Sequence, residues 1–158
     1  METGNLHLKE ELVAFDIDDA EEIFVVVKDR LLDISFWRDQ GFAGTGLSLV
    51  DAHMQELLRP AHTGDRLLFA DASLHLLVQS IEYDDFPDEE LETFTLRLSR
   101  FPAESSLPGD ALPLAAFVLE RRARHLVIHL VAARAASLPP ATEPWQQMLK
   151  AIMSGIAG

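Results

Sequence analysis

Residues 64–101, GDRLLFADASLHLLVQSIEYDDFPDEELETFTLRLSRF, decide the fold. In Thr93-Phe94-Thr95-Leu96-Arg97-Leu98-Ser99 the apolar side chains fall on even positions and the polar ones on odd positions. That is the period of a strand with one buried face, so Phe94, Leu96 and Leu98 are expected to point inward. The preceding run begins in one phase with Leu74, Leu76 and Val78 and continues in the other with Ile81 and Tyr83. One extra residue near Gln79 or Ser80 reconciles the halves, because a bulge moves every later side chain to the opposite face. Between the two runs, Pro87 lacks a ladder donor, and Asp84, Asp85, Asp88, Glu89 and Glu90 repel one another. A solvated turn joining two antiparallel strands is expected there.

Working outward, Glu11–Phe15 (ELVAF) reads as a strand entering the acidic turn Asp16-Ile17-Asp18-Asp19. Residues 22–37 read as two strands turning near Lys28-Asp29-Arg30, on the β-branched run Val25–Val27 and the alternation Leu32, Ile34, Phe36. A helix capped by Asp18 or Asp19, with Ile23, Val27, Leu31 and Ile34 on one face, is the other reading. Gly41, Gly44 and Gly46 mark a connector, and a helix is expected from Ser48 through Val50, Met54 and Leu57 to a stop at Pro60. The glycine spacing matches no phosphate-binding fingerprint.

Beyond a Pro-, Ser- and Gly-rich loop at 101–110, residues 111–136 carry eight alanines. There Leu112, Ala116, Leu119, Ala123, Leu126, Leu130 and Ala133 recur in steps of four and three, which predicts one long helix. A strand over His125–Val131 competes with its C-terminal half. After Ser137-Leu138-Pro139-Pro140, a last helix is expected to open at Thr142-Glu143-Pro144. It would carry Trp145, Met148, Leu149, Ile152 and Met153 on one side and end at Gly155, docking on its own sheet. The expected fold is α+β, one domain over 1–158: an antiparallel sheet packed on one face by a long helix and a C-terminal helix.

The 158 residues hold 26 Asp and Glu against 13 Lys and Arg, a formal charge of −13, and no cysteine. Disulfides, thiolate metal sites and cysteine nucleophiles are excluded. Such a charge opposes nucleic acid and anionic membranes and favours a protein partner with a basic or apolar surface. No run approaches a membrane span and no export signal is visible, so the cytoplasm is the expected location and a homodimer one available assembly. Lys9, Lys28 and Lys150 are the lysines, which leaves few candidates for a catalytic amine.

Asp16 and Asp18 follow an apolar strand in the D-x-D spacing. The segment resembles the entry motif of haloacid-dehalogenase-like phosphatases, which implies Asp16 as nucleophile, Asp18 as general acid and a carboxylate-held magnesium. Ala20 departs from that pattern, and no lysine lies between Lys28 and Lys150, so an acidic strand-end turn is the reading adopted. His125 and His129 would share a face on a helix but sit about 13 Å apart on a strand, and arginines surround them. No metal or other cofactor is therefore expected.

Arg121, Arg122, Arg124, His125 and His129 form a dense basic patch suited to an anionic ligand or acidic surface, or to pairing with the carboxylates of the 84–92 turn. Arg59-Pro60-Ala61-His62-Thr63-Gly64-Asp65-Arg66-Leu67 resembles the R-P-x-x-x-G-D-x-L turn of hotdog-fold acyl-thioester hydrolases. That resemblance implies a dimer acting on acyl-CoA or acyl-carrier substrates, with Asp51 and His53 nearest to the reacting water. The leading expectation is a non-catalytic acidic protein-binding domain, chaperone-, adaptor- or immunity-like; its order of elements is faintly similar to type III secretion chaperones. Hotdog-like hydrolysis is the alternative.

Overall fold

The computed structural model describes residues 6–39, 47–69, 74–100, 115–132 and 142–154. In chain order these form β1 (Leu6–Val13), α1 (Ile17–Leu32), α2 (Ile34–Trp37), β2 (Leu47–Val50), β3 (Arg66–Phe69), β4 (Leu74–Phe86), β5 (Leu91–Arg100), β6 (Ala115–Arg122), β7 (His125–Ala132) and α3 (Thr142–Met153). The strands make one seven-stranded antiparallel sheet, ordered β1-β7-β6-β5-β4-β3-β2. A long helix and a C-terminal helix pack against it, as expected: α1 lies over β6 and β7, and α3 over β1 and β7.

The β4–β5 hairpin follows its sequence pattern. Leu76, Val78, Phe94, Leu96 and Leu98 are buried, and the register slips between Val78 and Ser80, so Ile81 and Tyr83 return to the inner face beside Leu96 and Phe94. A short 3₁₀ turn at Pro87–Glu89 reverses the chain. The last helix also stands where expected, with Trp145, Met148, Leu149, Ile152 and Met153 all buried. Its Trp145 meets Trp37 of α2 and Phe117 of β6 at ring-centroid distances of 6.1 and 6.0 Å, and this aromatic trio forms the centre of the core. Arg30 of α1 donates to the carbonyls of Ala151, Ile152 and Ser154, capping the far end of α3.

Four segments differ from expectation. The long helix is supplied by residues 17–32, of which 22–32 were expected as strands with a helix as the other reading. Asp16 caps it by accepting from the Asp19 amide at 2.7 Å, and Ala20, Ile23, Phe24, Val27 and Leu31 form its buried stripe. A β-branched residue costs a helix only about 0.5 kcal/mol, whereas each large apolar side chain buried returns roughly 1.5–3 kcal/mol, so the stripe prevails.

The alanine-rich segment expected as the long helix is instead the β6–β7 hairpin. Alternate residues are buried on each strand, namely Ala115, Phe117, Leu119 and Arg121, then Leu126, Ile128, Leu130 and Ala132. The chain reverses at Ala123, held at φ 53° with no glycine to signal it. Finally, the helix expected from Ser48 to Pro60 is strand β2 followed by an irregular connection to β3. Strand β1 spans Leu6–Val13 and not Glu11–Phe15. The glycines at 41, 44 and 46, the loop at 101–110 and Gly155 lie outside the described residues.

A candidate protein-binding end of the sheet

One end of the sheet gathers three turns. The Ala14 amide donates to the Arg124 carbonyl at 2.8 Å, and the Ala123 amide donates to the Glu90 carbonyl at 2.8 Å. The β1–α1, β6–β7 and β4–β5 turns are thereby tied together by backbone bonds. Arg124 strengthens the first tie by donating to the Phe15 carbonyl at 3.1 Å. Around these turns stand Asp16 and Asp18 on one side and Asp84, Asp85, Asp88, Glu89 and Glu90 on the other.

Phe15 is 83% exposed and Phe86 45% exposed. On the outer face Val13, His125, Arg122, Leu91 and Phe86 are successive register partners from β1 to β4, a row in which direct neighbours share a face. Apolar side chains therefore bracket a basic centre, with carboxylates in the turns below them. No motif marks Phe15 or Phe86. The signal was their setting, since Phe86 stands within an acidic turn and Phe15 immediately precedes one.

The basic residues singled out from the sequence are divided between the two faces. Arg121 faces inward and is buried. Its Nε donates to Glu92 at 2.6 Å, its Nη1 to the Ala123 carbonyl at 2.9 Å, and Glu21 of α1 lies 3.7 Å away. Tyr83 donates to the other oxygen of Glu92 at 2.7 Å. That bond to a carboxylate, aided by burial, pushes the Tyr83 phenol up to about 12.

Arg122 and His125 are exposed neighbours on the outer face. Arg122 lies 3.5 Å from Glu120, and His125 Nε2 lies 2.8 Å from Glu11 Oε1. The bond from His125, then that from Lys9, holds the Glu11 carboxyl below its ordinary range. His129 sits further along β7, with its Nδ1 2.9 Å from Nε2 of His7. Burial, then the neighbouring His7, lowers its pKa. As strand residues, His125 and His129 cannot share a metal, and no three His, Asp or Glu side chains form a metal-holding group among the described residues.

The other candidates serve the local backbone. Asp16 caps α1. The Asp51 carboxylate accepts from the Gln55 and His53 amides at 3.0 and 2.8 Å, and these bonds, Gln55 first, lower its pKa. His53 is exposed on the same connection. Arg59 grips Asp65 with two bonds of 2.7 and 3.1 Å, and the His62 amide donates to the same carboxylate at 2.8 Å. Asp65 raises the Arg59 pKa in turn. The R-P-x-x-x-G-D-x-L turn is thus a self-contained structural clamp in which Gly64 takes φ 96°.

No family model matches the chain, and no curated protein matches it. Among solved structures it is similar to the hypothetical protein jhp0584 from Helicobacter pylori, with 14% identity and a TM-score of 0.56, covering 94% of this chain and 86% of that one. Ara h 8.0201 matches at 13% identity and a TM-score of 0.37, over 95% of this chain and 96% of that one. Ginseng major latex-like protein 151 from Panax ginseng matches at 9% and 0.38, over 94% and 92%. The first likeness shows the fold alone, an α+β architecture in which helices pack on an antiparallel sheet.

Proposed function

We propose that the chain is a non-catalytic protein-binding domain, chaperone-, adaptor- or immunity-like, whose three-turn end receives a partner surface that is apolar and basic. The exposure of Phe15 and Phe86 among carboxylates carries this reading. An aromatic side chain left in water forgoes roughly 1.5–3 kcal/mol that docking would recover, while the surrounding acids select the sign of the partner. In this reading Arg122, Arg124 and His125 accept an acidic group of the partner at the centre of the contact. Buried Arg121 positions the β6–β7 turn and touches nothing outside the chain.

The test is quantitative affinity capture with the wild-type chain and with a Phe15→Ser, Phe86→Ser variant whose circular dichroism matches wild type. A stoichiometric protein held by the first and released by the second is expected. Equal capture by both overturns the proposal. So does turnover of an acyl-thioester panel that Asp51→Asn or His53→Ala abolishes.

A further inference from the structure

At the opposite end of α1, a cleft of about 480 Å³ opens between the α1–α2 corner and the connection from β2 to β3. Its volume is that of sites that take ligands with both polar and apolar parts. Asp29, Asp33 and Glu56 line it, together with Arg38, Arg59, Leu57 and Leu58. The two arginines do not balance the three acids, because both forks of Arg59 are already held by Asp65, which does not line the cleft. Arg38 alone remains, 3.6 Å from Glu56, and Asp29 has no ion-pair partner among the described residues. Asp33 Oδ1 caps α2 by accepting from the Ser35 and Phe36 amides and the Ser35 hydroxyl, and Arg38 also donates to the Leu47 carbonyl at 3.3 Å. The lining therefore keeps an excess of negative charge centred on Asp29 beside an apolar wall, and the cleft favours a cation on an aliphatic stem.

Leu58 on this lining is 90% exposed, although the connection that carries it is fixed on both sides. The Leu57 amide donates to the Leu49 carbonyl at 2.8 Å, and the Ala61 amide to the Leu32 carbonyl at 2.9 Å. A small amine filling the cleft would leave that side chain in water, whereas a polypeptide crossing it would cover both. We propose that this cleft is a second docking site, taking a basic residue flanked by apolar ones in an extended segment of a protein partner. The inference rests on the protein-binding reading but uses a different surface.

The test is an amide ¹H–¹⁵N titration of the full chain with the acetylated, amidated pentapeptide Gly-Leu-Arg-Leu-Gly. The same peptide with Glu in place of Arg, and spermidine, serve as comparators. Saturable shifts at Asp29, Ser35, Glu56 and Leu58 are expected with the arginine peptide alone, and an Asp29→Asn, Glu56→Gln variant should weaken them about tenfold. No saturable shifts, equal shifts with the Glu peptide, or equal shifts with spermidine each overturn the site. Phe15→Ser, Phe86→Ser should leave this titration unchanged, so failure here and failure of partner capture at the three-turn end are read separately.

Discussion

Ala123 turns the β6–β7 hairpin at φ 53°, a conformation that costs an alanine about 1–2 kcal/mol and a glycine almost nothing. Ala123→Gly should therefore stabilise the chain by about 0.5–1 kcal/mol, after the added freedom of the unfolded state, and raise the thermal midpoint by roughly 2–4 °C. The same missing glycine explains why the sequence concealed this turn, since Leu119, Leu126 and Leu130 satisfy a helical stripe and an alternating strand equally well. Arg121 and Glu92 were legible as a possible pair because the basic run faces an acidic one in the sequence. Their burial was not legible, since it depends on the unannounced reversal that sets Glu92 opposite Arg121. Glu92→Gln leaves the buried guanidinium with only the more distant and exposed Glu21 as counter-charge and should cost about 3 kcal/mol in urea unfolding. Tyr83 is the chain's single tyrosine, so the change in ultraviolet absorbance as a phenol ionises reports it alone. Its folded value of about 12 lies above the unfolded 10.0; its contribution to stability is therefore full below pH 10.0 and lost as pH rises toward 12. An ionisation midpoint near 10 in the folded chain would refute the Tyr83–Glu92 bond.

Among the elements, α1 shows most directly how burial overrides propensity. Val25 is 48% exposed, so its branched side chain gives the helix little packing while restricting its own rotamers. Val25→Ala should stabilise by about 0.5 kcal/mol if the segment is helical and destabilise if it is a strand, which makes the thermal midpoint of this variant a direct check on α1. Helix α3 was legible because its terminal position, proline entry and apolar face all agree. Trp145→Ala, at the middle of the aromatic trio, should cost about 3–5 kcal/mol. Strand β1 is held to β7 beside His7 and His129, with Lys9, Glu11 and Glu120 near the pair. Because the folded value of His129 is depressed, its contribution is present above the unfolded 6.5 and is lost as pH falls through the lower folded value. Amides of His7–Val13 should accordingly exchange faster at about pH 5 than at about pH 7, once intrinsic rates are removed; unchanged protection would mean the pair does not hold the strand.

For the whole molecule, a charge of −13 sets a background repulsion that salt should screen. Raising ionic strength from about 0.01 to 0.15 M shortens the Debye length from roughly 30 to 8 Å and should raise the thermal midpoint while weakening capture of a basic partner. Opposite responses of stability and binding distinguish this from a purely apolar contact, whose affinity salt would not reduce. The pairing of β1 with β7 carries a separate consequence for how the chain is made. Glu11 and His125 touch across 114 positions of sequence, so among the described strands β1 has no neighbour until β7 has been synthesised. Closure of this pair must await a long loop, a non-local pairing that slows folding and leaves β1 open to mispairing during translation.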